Sequence, residues 1–154
     1  MTRASLRPFA LELTNPLDTA RGPIREREGF VVAVDAGASG SSAATGIGEA
    51  TPLPGWTESL SACESALRDA GADETLASDP LVRLDSADAP AARHGLALAL
   101  ADAAARDAGR SLSAELAADR GLPSPSETVP VNATIGDADP DATAAAASRA
   151  VGEG

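Results

Sequence analysis

Hydrophobic and polar positions alternate over residues 6–13, with Phe9, Leu11 and Leu13 on one side and Ala10 and Glu12 on the other. That period of two predicts a half-buried strand. Pro8 removes a ladder donor near its start and points to a sheet edge. Residues 14–27 are polar and carry two turn signals, Asn15-Pro16 and Gly22-Pro23, so a long loop is expected there. Loops of that length are often functional. Residues 30–35, Phe-Val-Val-Ala-Val-Asp, are apolar on both faces and predict a central strand. After a small-residue loop at 37–42, residues 45–50 return as a third strand, completing a hairpin.

The third strand leads into the stretch that organises the chain, Gly46-Ile47-Gly48-Glu49-Ala50-Thr51-Pro52-Leu53-Pro54-Gly55-Trp56. In extended geometry Gly46, Gly48 and Ala50 share one face and Ile47 and Glu49 the other. The smooth face invites close approach by another backbone. Pro52 and Pro54 fix φ and remove donors, so the ladder stops near Ala50. A stiff loop follows, presenting Leu53 and the only tryptophan. Two readings stay open: Trp56 packs as a hydrophobic staple on the next helix, or it forms an exposed apolar tip that covers a ligand.

Helical periods then take over. Thr57 is a candidate cap for a helix whose stripe is Leu60, Cys63, Leu67 and Ala70, ended by Gly71. On that stripe Cys63 reads as a small buried hydrophobe. Residues 71–88 are acidic, with Leu76, Leu81, Val82 and Leu84 as scattered anchors. Pro90 opens an alanine-rich helix over 90–106, apolar nearly all round and expected to be buried. Its Ala97, Ala101, Ala104 and Ala105 are candidates for close approach by other elements. His94 on this helix reads as a structural or surface group. Ser111 caps a short helix through Leu116.

Residues 121–126, Gly-Leu-Pro-Ser-Pro-Ser, have linker composition. Residues 128–136 predict another strand, and Asp139-Pro140 opens a helix from Ala142 to about Val151, with Gly152 as its stop. Asp137-x-Asp139-x-Asp141 imitates a calcium loop, but Ala142 and Ser148 stand where glycine and glutamate are needed. Gly46-x-Gly48 lies inside a strand and lacks the third glycine of a dinucleotide fingerprint.

Composition narrows the function classes. The 154 residues carry a net charge of -11 and no lysine, all twelve basic residues other than His94 being arginine. No basic face is available for nucleic acid, and an anionic membrane is equally unsuited as a partner. An acidic, lysine-free chain fits a salt-loving cytoplasm, where charge repulsion is screened; a GC-rich genome gives the same composition. One cysteine excludes an internal disulfide framework and an all-cysteine metal site. With no apolar run near ~20 residues and no apolar signal segment at the start, a cytoplasmic chain is expected. A single strand–helix unit cannot bury its own faces, so residues 128–154 read as the start of a larger parallel structure.

Four segments carry a resemblance to a known family. Residues 13–22, Leu-Thr-Asn-Pro-Leu-Asp-Thr-Ala-Arg-Gly, resemble the first mobile capping loop of the enolase superfamily, in its muconate-lactonizing and mandelate-racemase-like branch. Residues 46–56 resemble its second capping loop, residues 91–106 its capping-domain helix, and residues 129–136, Val-Pro-Val-Asn-Ala-Thr-Ile-Gly, its first barrel strand. Within that branch the likeness is greatest to the o-succinylbenzoate synthases of menaquinone biosynthesis.

The resemblance implies an α+β capping domain, a three-stranded antiparallel sheet plus helices, followed by the first βα unit of a truncated (β/α) TIM-type barrel. The expected boundaries are a cap at 1–120, a linker at 121–127 and the barrel start at 128–154. It also implies a dehydratase that abstracts a proton α to a carboxylate and stabilises the enediolate on Mg2+ in the intact enzyme. The family's lysines and magnesium carboxylates lie on later strands, so catalytic and metal residues are expected to be none here, and the chain alone is expected to be inactive and to bind no metal. Arg21, Leu53, Pro54, Trp56 and Asn132 are the substrate-binding candidates the resemblance implies. The implied partner is a small-molecule carboxylate, with self-association through the exposed barrel strand. Alternatives are a sister enzyme of the superfamily, such as a dipeptide epimerase or muconate cycloisomerase, or a non-catalytic acidic α+β interaction domain.

Overall fold

The computed structural model describes residues 2–153 except 20, 37–43, 54, 74, 77, 124 and 136–138. The expected loop at 37–42 and the candidate Pro54 lie outside the described residues. By its contacts the chain divides into two compact units, Met1–Ala10 with Glu28–Pro125, and Leu11–Arg27 with Ser126–Gly154.

A three-stranded sheet runs in the order β1 (Arg3–Leu17), β2 (Ile24–Ala36) and β3 (Ala44–Ala50). β2 and β3 are antiparallel, from Phe30 opposite Ala50 to Ala36 opposite Ala44. The polar segment 14–27 is therefore not a long loop. β1 continues through Asn15-Pro16 to Leu17 and β2 begins at Ile24, leaving a connection of residues 18–23. Pairing across a hairpin satisfies backbone groups whatever the side-chain polarity, and this overrode the local turn signals. β1 is an edge, as Pro8 indicated. Part of that edge is covered from its own chain, for Asp73 and Leu76 donate their amides to Ala4 O and Thr2 O at 2.8 and 3.0 Å.

In the first unit, helix α1 (Leu60–Asp69) buries Cys63 and Leu67, with Ala70 just beyond them, and ends at Gly71 with φ +101°. Its cap is Ser59, whose Oγ accepts from Ala62 N at 3.2 Å, not Thr57. Thr57 is turned back on its own loop. A one-turn 3-10 helix at Pro80–Arg83 leads to α2 (Pro90–Asp107) and α3 (Leu112–Asp119), the last capped by Ser111. Leu76 and Leu84 are buried anchors, but Val82 is exposed. Arg93 fastens this segment to α2 by donating to Leu81 O and Leu84 O at 2.5 and 2.8 Å.

The core is the contact of α2 with the sheet. Val32 and Val34 of β2 and Leu96 and Ala99 of α2 are fully buried. The glycine face of β3 supplies the fit: a Cβ on Gly46 would stand 2.1 Å from Ala99 O, and one on Gly48 2.0 Å from Gly95 O. The helix meets it with Gly95, Ala99 and Ala103. Ala97 and Ala101 are half-buried and Ala104 exposed, so α2 is one-sided and not enclosed all round, and of the four alanines expected at close contacts only Ala105 is buried. The edge of β3 is closed at one point, where Asp102 Oδ2 accepts from Ile47 N at 2.9 Å and from Arg106 Nε at 2.8 Å.

In the second unit, residues 128–135 form no ladder, although their pattern is that of a strand. A ladder needs at least one neighbouring strand to exchange hydrogen bonds with, and no described strand pairs with this one. The last helix, α4 (Pro140–Glu153), starts with Pro140 and is capped by Asp139, which accepts from Asp141 N and Ala142 N at 3.0 Å each. It runs through Gly152, which does not stop it. No described helix is long and apolar enough to cross a membrane.

Candidate functional site

The loop leaving β3 is closed on itself. Leu53 O accepts from Trp56 N and Thr57 N at 3.0 Å each, and Leu53 N donates to Thr57 Oγ1 at 2.7 Å. Gly55 takes φ +80°, a left-handed angle that a side chain would disfavour. Leu53 is half-buried, and Trp56 is 77% exposed at the tip. The staple reading therefore fails for Trp56: its indole is not packed into a core. What the turn presents is an apolar tip on a hydrogen-bonded base.

Glu58 follows immediately. Its carboxylate accepts from Ala91 N at 3.2 Å and Ala92 N at 2.8 Å, the first free amides of α2. It also faces Cys63. Burial, with the Glu58 charge beside it, pushes the Cys63 thiol up to about 12 from 9.0. A thiol so held is protonated at neutral pH and unsuited to nucleophilic attack.

In the second unit, Arg21 lies in the hairpin connection. There Gly22 N donates to Thr19 O at 2.9 Å, Thr19 Oγ1 donates to Gly22 O at 2.7 Å, and Gly22 takes φ +107°. Asn132 is exposed. Nearby sequence, not these two residues, lines a groove of about 430 Å³, whose polar groups are Asn15, Asp18, Thr134, Thr143 and Arg149. Sequence reasoning did not single out these five. Asn15 and Asp18 stand inside the segment that resembles a capping loop, which was the available signal; Arg149 had none. A guanidinium and a carboxylate on one groove suit a ligand bearing both charge signs. Leu53 and Trp56 belong to one unit and Arg21 and Asn132 to the other. Among the described residues no group of three His, Cys, Asp or Glu could hold a metal ion. The described residues thus supply no ligand set that fits a resident magnesium.

Comparison with family models and with curated protein sequences finds no match. Solved structures do match. The o-succinylbenzoate synthase from Thermosynechococcus elongatus BP-1, with magnesium in its active site, is 30% identical over 64% of this chain and 29% of its own, with a TM-score of 0.54. The dipeptide epimerase from Methylococcus capsulatus, complexed with Mg and the dipeptide L-Arg-D-Lys, is 28% identical over 98% of this chain and 42% of its own, with a TM-score of 0.71. The substrate-liganded L-Ala-D/L-Glu epimerase from Bacillus subtilis is 25% identical over 99% and 42%, with a TM-score of 0.73. The chain thus spans less than half the length of these proteins. Its structural neighbours are members of the enolase superfamily, and its fold is that of their N-terminal part: a capping domain followed by the start of a barrel.

Proposed function

We propose that this chain is the capping portion of an enolase-superfamily enzyme that removes a proton α to the carboxylate of a small molecule. The observation that supports it most is the match to solved dipeptide epimerases over 98% and 99% of the chain, tail included. The loop bearing Leu53, Pro54 and Trp56, and the hairpin tip bearing Arg21, act as lids that exclude water and shape the pocket. Asn132 stands near the substrate at the barrel mouth. In this reading base and metal come from outside these residues: the sequence has no lysine to act as base, and no described group of carboxylates could hold the metal. Magnesium in the whole enzyme would stabilise the enediolate. Residues 1–120 serve as cap, 121–127 as linker and 128–154 as barrel start.

Two reactions of this class are in view. Dehydration to o-succinylbenzoate is supported by the highest identity of the three, 30%, but over 64% of the chain. Epimerisation of a dipeptide is favoured by the near-complete coverage and by a groove lined by both Arg149 and Asp18. The test is proton exchange by NMR in D2O with magnesium. The 154-residue chain and the product of the complete natural reading frame are each given L-Ala-L-Glu and the cyclohexadiene precursor of o-succinylbenzoate. Deuterium at the dipeptide α-carbon, or water loss from the precursor, is expected from the complete product only. Neither reaction in the complete product would overturn the proposal, and turnover by the short chain would overturn its assignment as cap alone.

A further inference from the structure

Helix α2 begins without a cap of its own. Ala89 occupies the N-cap position and has no side-chain acceptor. Pro90 has no amide, and Arg93 N is taken by Ala89 O at 3.0 Å. That leaves the amides of Ala91 and Ala92, both on buried residues. Glu58 accepts both, Oε2 from Ala91 and Oε1 from Ala92, across 33 and 34 residues of sequence. A buried amide without a partner is costly, so this carboxylate is the cap that the local sequence lacks.

The same contact bears on the Trp56 loop. At its upstream end the chain leaves β3 at Ala50, whose backbone lies against α2: a Cβ on Gly95 would be 2.8 Å from Ala50 N. At its downstream end Glu58 is bound at Ala91 and Ala92. The chain between Ala50 and Glu58 is thus held at both ends on one helix, within one turn of each other. Its interior is tied by Leu53 to Trp56 and Thr57.

We infer that Glu58 is a positioning residue: its carboxylate, clamped on the first-turn amides of α2, fixes the base of the loop that carries Trp56. The purpose of the clamp rests on the lid reading above; the clamp itself does not, and it is measurable on this chain without substrate. Both carboxylate oxygens are used, one per amide. Glutamine would turn an NH2 donor toward one of the two amide donors, so Glu58→Gln should behave nearly as badly as Glu58→Ala, although its size is unchanged.

Trp56 is the only tryptophan, so its fluorescence anisotropy decay reads this loop alone. Hydrogen exchange of the Trp56 and Thr57 amides reads its base. Three variants are compared with the parent: Glu58→Ala, Glu58→Gln, and Glu58→Ala combined with Ala89→Asp, which supplies a local cap to α2. The two single variants are expected to exchange the Trp56 and Thr57 amides about tenfold faster and to add a fast component to the Trp56 decay. The double variant should regain the parent's melting temperature while its loop stays fast. Unchanged loop exchange in Glu58→Ala, or loop and melting temperature restored together in the double variant, would make Glu58 a helix cap only and overturn the inference. Failure of the proton-exchange assay alone would instead remove the lid reading and leave the clamp standing.

Discussion

Two alanine-rich helices of this chain meet opposite fates. α2 has Ala91, Ala92, Ala99, Ala103 and Ala105 buried. α4 has alanine at 142, 144–147 and 150, yet no described residue of it is buried. The strands repeat the contrast. Residues 30–34 and residues 129–135 both carry an apolar extended pattern, but Val32 is fully buried in a ladder while Val131 is 89% exposed with no ladder at all. Composition and period set what an element can be. Whether it buries anything depends on a partner surface, and the glycine face of β3 is that surface for α2. All core residues of the described chain lie in the first unit.

Hydrogen exchange offers the widest test of this contrast. Amides of the central strand, such as Val32, should exchange only through opening on the scale of global unfolding, about 5–15 kcal/mol for a domain. Val131 and Ile135 should exchange near the rate of an open chain, and their unpaired edges should favour self-association. Equal protection at Val32 and Val131 would show that residues 128–135 are packed as a finished element and would dissolve the comparison.

Much of the first unit was legible because its signals are local or periodic. The alternation of Gly46, Gly48 and Ala50 announced a face for close backbone approach, and the stripe through Cys63 and Leu67 announced α1. Asn15-Pro16 misled because hairpin pairing is non-local: β1 runs through it to Leu17. Thr57 looked like a cap because caps are usually adjacent, whereas the loop captured its hydroxyl. Glu58 and Asp102 were invisible for the same reason. Each satisfies a backbone amide far along the chain, 33 and 55 residues away, and nothing in a linear pattern encodes that pairing. The candidate site was legible as two loop segments. The groove residue Arg149 was not, since what singles it out is the proximity of distant residues.

Substitution at the β3–α2 contact should have the next largest effect. In Gly48→Ala the new methyl would meet Gly95 O at 2.0 Å, a backbone atom that cannot rotate away. A loss of about 3 kcal/mol is expected, at the upper end for overpacking, read as a lower urea midpoint. An unchanged midpoint would mean that α2 does not rest on that face.

Removing the edge guard should cost somewhat less. In Asp102→Ala the Ile47 amide loses its acceptor in a part-buried place, at about 1–3 kcal/mol. It also opens the β3 edge to pairing between molecules. Light scattering across a concentration series should show association in the variant beyond the parent's. A variant that associates no more than the parent would locate the protection of this edge elsewhere.

Alkaline pH probes the core specifically. The unfolded thiol of Cys63 ionises near 9.0, while the folded one is held to about 12. A raised folded value means stability is full below pH 9 and is lost as pH rises toward 12, by up to about 1.4 kcal/mol per pH unit. The chain has no lysine and no tyrosine, so Cys63 is the one side chain expected to titrate in that window. Urea midpoints should fall from pH 9 to 11 in the parent and stay flat in Cys63→Ala. An equal slope in both would assign the loss to another group.

The smallest effect should come from α4, and its sign should be reversed. Gly152 lies within the helix, and a Cβ there would meet nothing within 4 Å. Glycine costs a helix interior roughly 0.5–1 kcal/mol relative to alanine, and less in the last turn, where Gly152 stands. Gly152→Ala should therefore raise the helicity of α4, seen by circular dichroism, while leaving the urea midpoint of the sheet unit unchanged. The same glycine-to-alanine change that breaks the first unit at position 48 should then improve the second at position 152, because only one of these glycines has a backbone pressed against it. A destabilised Gly152→Ala would reveal a surface packed on the end of α4, and the contrast between the two alanine-rich helices would narrow to a difference of degree.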